Sequence, residues 1–229
     1  VAWWVSRRLP IHFVLPAFPF KSGNTDKVMG TMPDMGEMLG LRRLRDFVEE
    51  VGKVYPRGAH LAIFTDGRVY NDVFGISEEV TTEYREALEH MLPSDRISFY
   101  DLDFFLPDLE HTAKREQLML LFGEHRLSIS EKIKTDKDYL ETYCSFKAYM
   151  RKEFHAIPMS GCQRVKHAKN KALALIGRNV AYRGLVATVY NHHIRLSIHL
   201  SKNVEKFGCT LVGGEVSWAT PWHRCTLLD

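Results

Sequence analysis

Short apolar runs alternate along this chain with longer stretches whose apolar residues recur at helical spacing, and this restricts the fold to a sheet with helices on its faces. Residues 11–18 read as a buried strand. After a loop punctuated by Pro19 and Pro33, Asp34 with Glu37 three residues on is a capping-box signature. The helix it opens carries Leu44, Phe47, Val48 and Val51 on one face. Residues 60–65 form a second strand stopped by Asp66 and Gly67, and residues 68–74 read as the returning arm of a hairpin. Ser77 caps a helix lined by Val80, Tyr84, Leu88 and Met91; residues 96–102 are a third strand and 117–122 a helical segment. Thr135 and Asp138 bracket the cap of a helix over 137–154, and a long helix follows over 165–190. Residues 194–200, 209–212 and 224–228 return to strand character, which predicts a mixed sheet.

Composition narrows the class further. With 229 residues, 45% hydrophobic and 26% charged, the chain can bury one sizeable core, so residues 1–229 are read as one domain. The longest apolar stretch, residues 11–20, is cut by Pro16 and Pro19 and falls short of the roughly 20 residues of a spanning helix. Arg7 and Arg8 interrupt the first apolar run rather than precede it, so neither a membrane segment nor a signal peptide is expected. The chain opens with Val1 and stops at Asp229 directly after a patterned stretch, and both ends are expected to be trimmed. A net charge of +3, from 31 basic and 28 acidic residues, is too balanced for a nucleic-acid footprint. Cys144, Cys162, Cys209 and Cys225 form no C-x-x-C pair, the usage of reduced thiols in a cytoplasmic protein.

The stretch His193-Ile194-Arg195-Leu196-Ser197-Ile198-His199 concentrates chemistry. Its period of two sends Ile194, Leu196 and Ile198 to one face and two histidines, an arginine and a hydroxyl to the other. Arg195 suits a phosphate or carboxylate, and His199 can exchange a proton near neutral pH. A strand with a wet outer face would show the same alternation. Thr220-Pro221-Trp222-His223 adds a further histidine beside a large aromatic. Asp66 and Arg68 follow the second strand, where ligands of α/β sheets gather, and can orient each other, with Asp72 on the return arm. Lys21 and Ser22 follow the first strand, where a cation and loop amides can cradle a phosphate. Neither a Walker loop nor G-x-G-x-x-G is present, and no H-E-x-x-H or helical histidine pair supports a metal site. Lys166, Lys169, Lys171 and Arg178 read as a charged solvent face of the long helix.

Five separated phrases taken in order, Phe-Pro-Phe-Lys-Ser (18–22), Pro-Asp-Met-Gly-Glu (33–37), Thr-Asp-Gly-Arg-Val-Tyr-Asn-Asp (65–72), Ile-Arg-Leu-Ser-Ile-His (194–199) and Thr-Pro-Trp-His (220–223), resemble the isocyanide (isonitrile) synthase family, also called the pyoverdine/dityrosine biosynthesis family. The resemblance runs across nearly the whole chain. Gly23 and Leu200 stand where the family often has proline, and neither removes a chemical group.

The resemblance implies a Rossmann-like α/β fold, a mixed sheet with helices on both faces whose C-terminal part adds antiparallel strands. It also implies an enzyme that turns the amine of an L-amino acid into an isocyano group, with the carbon taken from C2 of ribulose 5-phosphate and no metal or redox cofactor. It admits a downstream oxygenase as a partner. Laid onto the matching positions, it makes His199, His223, Asp66 and Glu37 the candidates for catalysis, Glu37 once it leaves its cap. Lys21, Ser22, Arg68, Asp72, Arg195, Ser197 and Trp222 become the candidates for substrate binding. Two other readings stay open: a dityrosine-type relative giving an N-formyl tyrosine product, and a non-catalytic interaction module that keeps the fold.

Overall fold

The computed structural model describes residues 1–198 together with 207 and 208. Its elements run α1 (Ala2–Ser6), β1 (Ile11–Pro16), α2 (Met35–Val54), β2 (Ala59–Phe64), α3 (Gly67–Phe74), α4 (Glu78–Met91) and β3 (Ile97–Tyr100). There follow α5 (Leu102–Phe105), α6 (His111–Phe122), α7 (Arg126–Thr135), α8 (Lys137–Glu153), α9 (Gly161–Val189), β4 (Ile194–Ser197) and β5 (Phe207–Gly208). Among the described residues the sheet has five strands in the order β3-β2-β1-β4-β5. Every neighbouring pair is parallel.

Strand alternation divides the interior into two cores. Phe13, Leu15, Leu61, Ile63 and Leu196 point to one face and pack against Leu41, Leu44 and Val48 of α2 and Tyr84 and Leu88 of α4. Val14, Ala62 and Phe64 point to the other, under Val69, Tyr70 and Val73 of α3, Leu118 of α6, Met150 of α8 and the long α9. Helices therefore cover both faces, and strands buried on both sides read as continuous apolar runs.

The sheet is parallel where a mixed one was expected. The chain between β3 and β4 passes through five helices, and that crossover returns it to the end of the sheet from which β1 started. As a result β4 enters beside β1 in the same direction and β5 beside β4 likewise, and no antiparallel addition occurs among the described residues. The strand-like segments 209–212 and 224–228 lie outside them.

The hairpin arm expected over residues 68–74 is helical instead, as α3. Asp-Gly there opens a helix because β2 pairs in parallel with both neighbours, which requires a crossover. Val69, Tyr70 and Val73 then fall on one buried face at helical spacing. The capping box of α2 forms as read: Asp34 accepts from Gly36 N at 2.8 Å, and Glu37 Oε2 accepts from Asp34 N at 2.9 Å. The cap of α8 falls on Asp136, between the two residues taken to bracket it.

Candidate active site at the strand-order switch

From β1 the chain steps to β2 and β3 on one side, then returns to place β4 on the other side of β1. The carboxyl ends of β1 and β4 therefore flank a strand-order switch, the position where doubly wound sheets bind ligands. Four stretches singled out in the sequence end there or next to it: the loop after β1 with Lys21 and Ser22, the β2–α3 junction with Asp66, β4 with Arg195 and Ser197, and the start of α2 with Glu37.

Pro16 cannot donate to the ladder and closes β1. Two residues on, Phe18 is fully buried at φ +58°, a left-handed conformation that a bulky residue adopts at a cost of about 1–3 kcal/mol. The strained turn is held in part by Gly67. A Cβ on Gly67 would stand 2.3 Å from the Pro19 carbonyl oxygen and 2.8 Å from Thr81 Cγ2, so only glycine lets the loop after β1 press against the start of α3.

That loop delivers Lys21 to an ion cluster that is buried at Lys21 and Glu37 and opens to solvent at Asp34. Lys21 is 2% exposed, and its Nζ lies 2.8 Å from Asp34 Oδ2 and 2.9 Å from Glu37 Oε2. Tyr84 donates its hydroxyl to Glu37 Oε1 at 2.9 Å, so the cap of α2, the loop and α4 meet at one carboxylate. Burial raises the Glu37 pKa against the pull of the Asp34 N–H, Lys21 and Tyr84. At exposed Asp34, burial acts in the same sense but is outweighed by Lys21 and the Gly36 N–H, which hold its carboxyl below the usual range. Two carboxylates on one lysine are thereby pushed apart in acidity. Glu37 remains in its cap.

Ser22 is tied down differently. Its hydroxyl donates to Glu153 at the end of α8 and accepts from Asn24 N at 3.0 Å, while Lys27 pairs with the same carboxylate. Asn24 Nδ2 adds a 3.1 Å bond to the Lys152 carbonyl.

Asp66 is the anomalous group of the site. Its Oδ1 is buried and has no hydrogen-bond partner. Burial pushes its pKa up to about 7, against the pull of its own backbone N–H and of the Arg195 guanidinium. Burial also lowers the Arg195 pKa, with Tyr182, Tyr70 and Asp66 acting to raise it and Arg183 to lower it. Tyr70 and Tyr182 are pushed well above the phenol range by burial and then by the Asp66 charge, and both stay protonated. Their hydroxyls are spent on the scaffold, on Asn179 Oδ1 at 2.6 Å and on the Phe64 carbonyl at 3.1 Å, which leaves Asp66 in a desolvated pocket facing one cation. A buried carboxyl poised near neutrality beside an arginine is the pattern of a proton-transfer group.

The alternation of residues 194–198 is realised, with Leu196 buried and Ile194 and Ile198 packed in the first core. Arg195 acts from the opposite side, with Tyr182 of α9. His193 does not share that neighbourhood; it lies among rings near the amino ends of the strands. His199, Trp222 and His223 lie outside the described residues.

Arg68 and Asp66 do not orient each other. Arg68 spends its guanidinium on Asp103 Oδ2 at 3.0 Å, Glu78 Oε2 at 2.7 Å and the Thr82 hydroxyl, and so braces α3 to α4 and α5. Arg115 reaches the same Glu78 at 2.7 Å, and Lys114 the same Asp103 at 2.6 Å. Asp72, placed by α3 instead of a strand, takes Arg178 Nη2 at 3.0 Å, and its carbonyl takes Lys171 Nζ at 2.9 Å. Lys171 and Arg178 are thus a clamp of α9 on α3 instead of a solvent face. Their separation of seven residues, two helical turns, carried that signal. Tyr70, Tyr84 and Tyr182 gave none, because a buried tyrosine at helical spacing reads as ordinary core.

No group of three or more potential metal ligands is clustered among the described residues. Nor is any helix there long and apolar enough to cross a membrane. Cys144 and Cys162 are exposed free thiols.

A parallel sheet covered on both faces, with a strand-order reversal and an Asp–Arg couple beside it, defines a doubly wound α/β protein with a candidate ligand site at the switch. Known proteins sharpen this. The family described as "Pyoverdine/dityrosine biosynthesis protein" matches residues 1–229. The chain is 32% identical over 235 residues to the L-tryptophan isonitrile synthase AmbI2 of Fischerella ambigua, covering 100% of this chain and 71% of that protein. It is 30% identical over 231 residues to the L-tyrosine isonitrile synthase of Xenorhabdus nematophila, covering 96% and 69%. The crystal structure of PvcA from Pseudomonas aeruginosa superimposes with a TM-score of 0.91 at 30% identity, covering 97% of this chain and 76% of that one. The chain belongs to the isocyanide synthase, or pyoverdine/dityrosine biosynthesis, family.

Proposed function

We propose that this protein is an isocyanide synthase that converts the amine of an L-amino acid into an isocyano group, taking the carbon from C2 of ribulose 5-phosphate. The observation that carries this reading is its kinship, over the full chain, with the tryptophan and tyrosine isonitrile synthases. An aromatic amino acid is accordingly the first substrate to try.

The chemistry asks for three services: an anion clamp, acid and base groups around an imine, and a pocket for the side chain. The amine condenses with the sugar ketone to an imine, with loss of water, and later loss of phosphate and carbon fragments leaves the isocyanide carbon. Arg195 serves the phosphate or the carboxylate, with Ser197 beside it on β4. Lys21 and Ser22 shape the anion side of the site, with Glu37 holding Lys21. Asp66, neutral or ionised at little cost near pH 7, moves the proton at the condensing centre. His199 and His223 share that duty and Trp222 walls the pocket. Arg68 and Asp72 support the site by fixing α3. We take the protein to work in the cytoplasm without a cofactor, its product open to a decarboxylating oxygenase.

The test is incubation with tryptophan or tyrosine and ribulose 5-phosphate labelled at C2, read by mass spectrometry. Label is expected in the new isocyano carbon. An unlabelled product, or only an N-formyl amino acid, would overturn the reading.

A further inference from the structure

Between the sheet, α5 and the end of α9 lies a cleft that this chemistry does not use. It has a volume of about 280 Å³ and opens over the amino-terminal half of β1 and β2, on the face that carries α9. His12 and His60 are register partners on adjacent strands, so their side chains leave the sheet on the same face, and their rings stack at 5.4 Å. His193 meets His12 edge-on at 5.2 Å. Trp4 stacks on His12 at 4.6 Å and is itself fixed by a 3.0 Å bond from its Nε1 to the His192 carbonyl.

The other wall is aromatic. Tyr100 touches Phe104 at 4.8 Å, Phe104 touches Phe105 at 5.1 Å, Phe105 reaches Tyr190 at 6.2 Å, and Tyr190 closes on His193 at 4.9 Å. An almost closed circuit of rings thus surrounds a space floored by Ala62. In a chain that is 26% charged, no Asp, Glu, Lys or Arg lines this cleft among the described residues. The polar groups of its wall are the imidazoles of His12, His60 and His193 and the hydroxyls of Ser98, Tyr100 and Tyr190. Phe64, fully buried, contacts Phe105 and Tyr190 on this side and gives its carbonyl to Tyr182 on the Asp66 side, which separates the cleft from the site at the switch.

We propose that this cleft is a second binding site, for an uncharged aromatic molecule of one or two rings that carries a ring N–H or a hydroxyl. Ring walls reward a planar partner through stacked and edge contacts. A lining without charged groups among the described residues disfavours an amino-acid zwitterion, whose ammonium and carboxylate would be buried unpaired. The polar hydrogen of the ligand meets an open nitrogen of the His60 imidazole. A small, mostly apolar cavity with a few convergent polar groups is the usual form of such a site.

Indole, N-methylindole, p-cresol and tryptophan, titrated into the full chain by calorimetry and ligand-observed NMR, test the proposal. Indole and p-cresol are expected to saturate, with N-methylindole and tryptophan at least five-fold weaker. Phe104→Ala, at a largely exposed lip position, should weaken indole at least five-fold with an unchanged melting curve. His60→Phe should erase the preference for indole over N-methylindole, and Val189→Trp, at the exposed rim, should block binding if the His60 variant does not fold. Absence of saturable binding overturns the proposal. So does binding that Phe104→Ala and Val189→Trp leave intact, or that Asp66→Asn removes, since the arene would then sit elsewhere.

Discussion

Lys21 Nζ lies 2.9 Å from Glu37 Oε2, and neither side chain reaches solvent. The pair joins the loop after β1 to the first turn of α2, so one contact sets the position of a loop that the fold leaves strained at Phe18. Removing one partner strands the other charge in the interior. Lys21→Met is expected to cost about 3–5 kcal/mol in urea unfolding. The double variant with Glu37→Gln should recover a large part of that loss. A double variant as unstable as the sum of the singles would show that the two do not act as a pair.

Asp66 couples stability to pH in the sense opposite to an ordinary salt-bridged aspartate. The folded protein keeps this proton up to about pH 7, whereas the unfolded chain releases it near 3.8. Stability is therefore present in acid and is lost as pH rises between those values, by an upper bound on the order of 4 kcal/mol. Asp66→Asn should raise the melting temperature at pH 8 and change it little near pH 4, while turnover is lost. A variant no more stable than the parent at pH 8 would refute the desolvated carboxyl.

The ring cluster around His12 and His193 titrates the opposite way. Burial, with His12 and His192 adding to it, lowers the His193 pKa to about 4, and burial with His60 lowers that of His12. Both imidazoles stay neutral in the fold at pH values where the unfolded chain is already protonated. Their contribution is intact above about pH 6.5 and is lost as pH falls toward 4. Denaturant melts of His193→Phe between pH 4.5 and 7.5 should show a shallower acid decline than the parent. Parallel profiles would mean that His193 is protonated as readily in the fold as out of it.

Gly67 is expected to tolerate no side chain. Gly67→Ala places a methyl 2.3 Å from the Pro19 carbonyl and should cost about 1–3 kcal/mol by displacing the loop after β1. Turnover should fall by more than the loss of folded protein explains, because the same displacement moves the loop that carries Lys21 and Ser22. Activity per folded molecule equal to the parent would separate the loop from the chemistry.

Arg68→Lys distinguishes scaffold from ligand contact. Lysine cannot reproduce three directional contacts to Asp103, Glu78 and Thr82, so the melting temperature should drop while KM for the proposed co-substrate, ribulose 5-phosphate, stays unchanged. A large rise in KM at unaltered stability would return Arg68 to the substrate.

Periodicity and caps are local properties, and the sequence alone determined them here: the capping box of Asp34 and Glu37, the buried runs of β1 and β2, and the two-residue alternation that sends Arg195 away from Leu196. Direction and partnership are not local. Asp66-Gly67 opens either a hairpin or a helix, and the parallel register of β1 with β2 selects the helix, which moves Asp72 onto Arg178 and Arg68 onto Asp103. Nor does any spacing reveal that Tyr70 and Tyr182 lie within electrostatic reach of Asp66, or that His12, His60 and His193, far apart along the chain, share one ring of aromatics. Acidity and cavity shape depend on which distant side chains exclude solvent from a group, and only the packed tertiary structure supplies them.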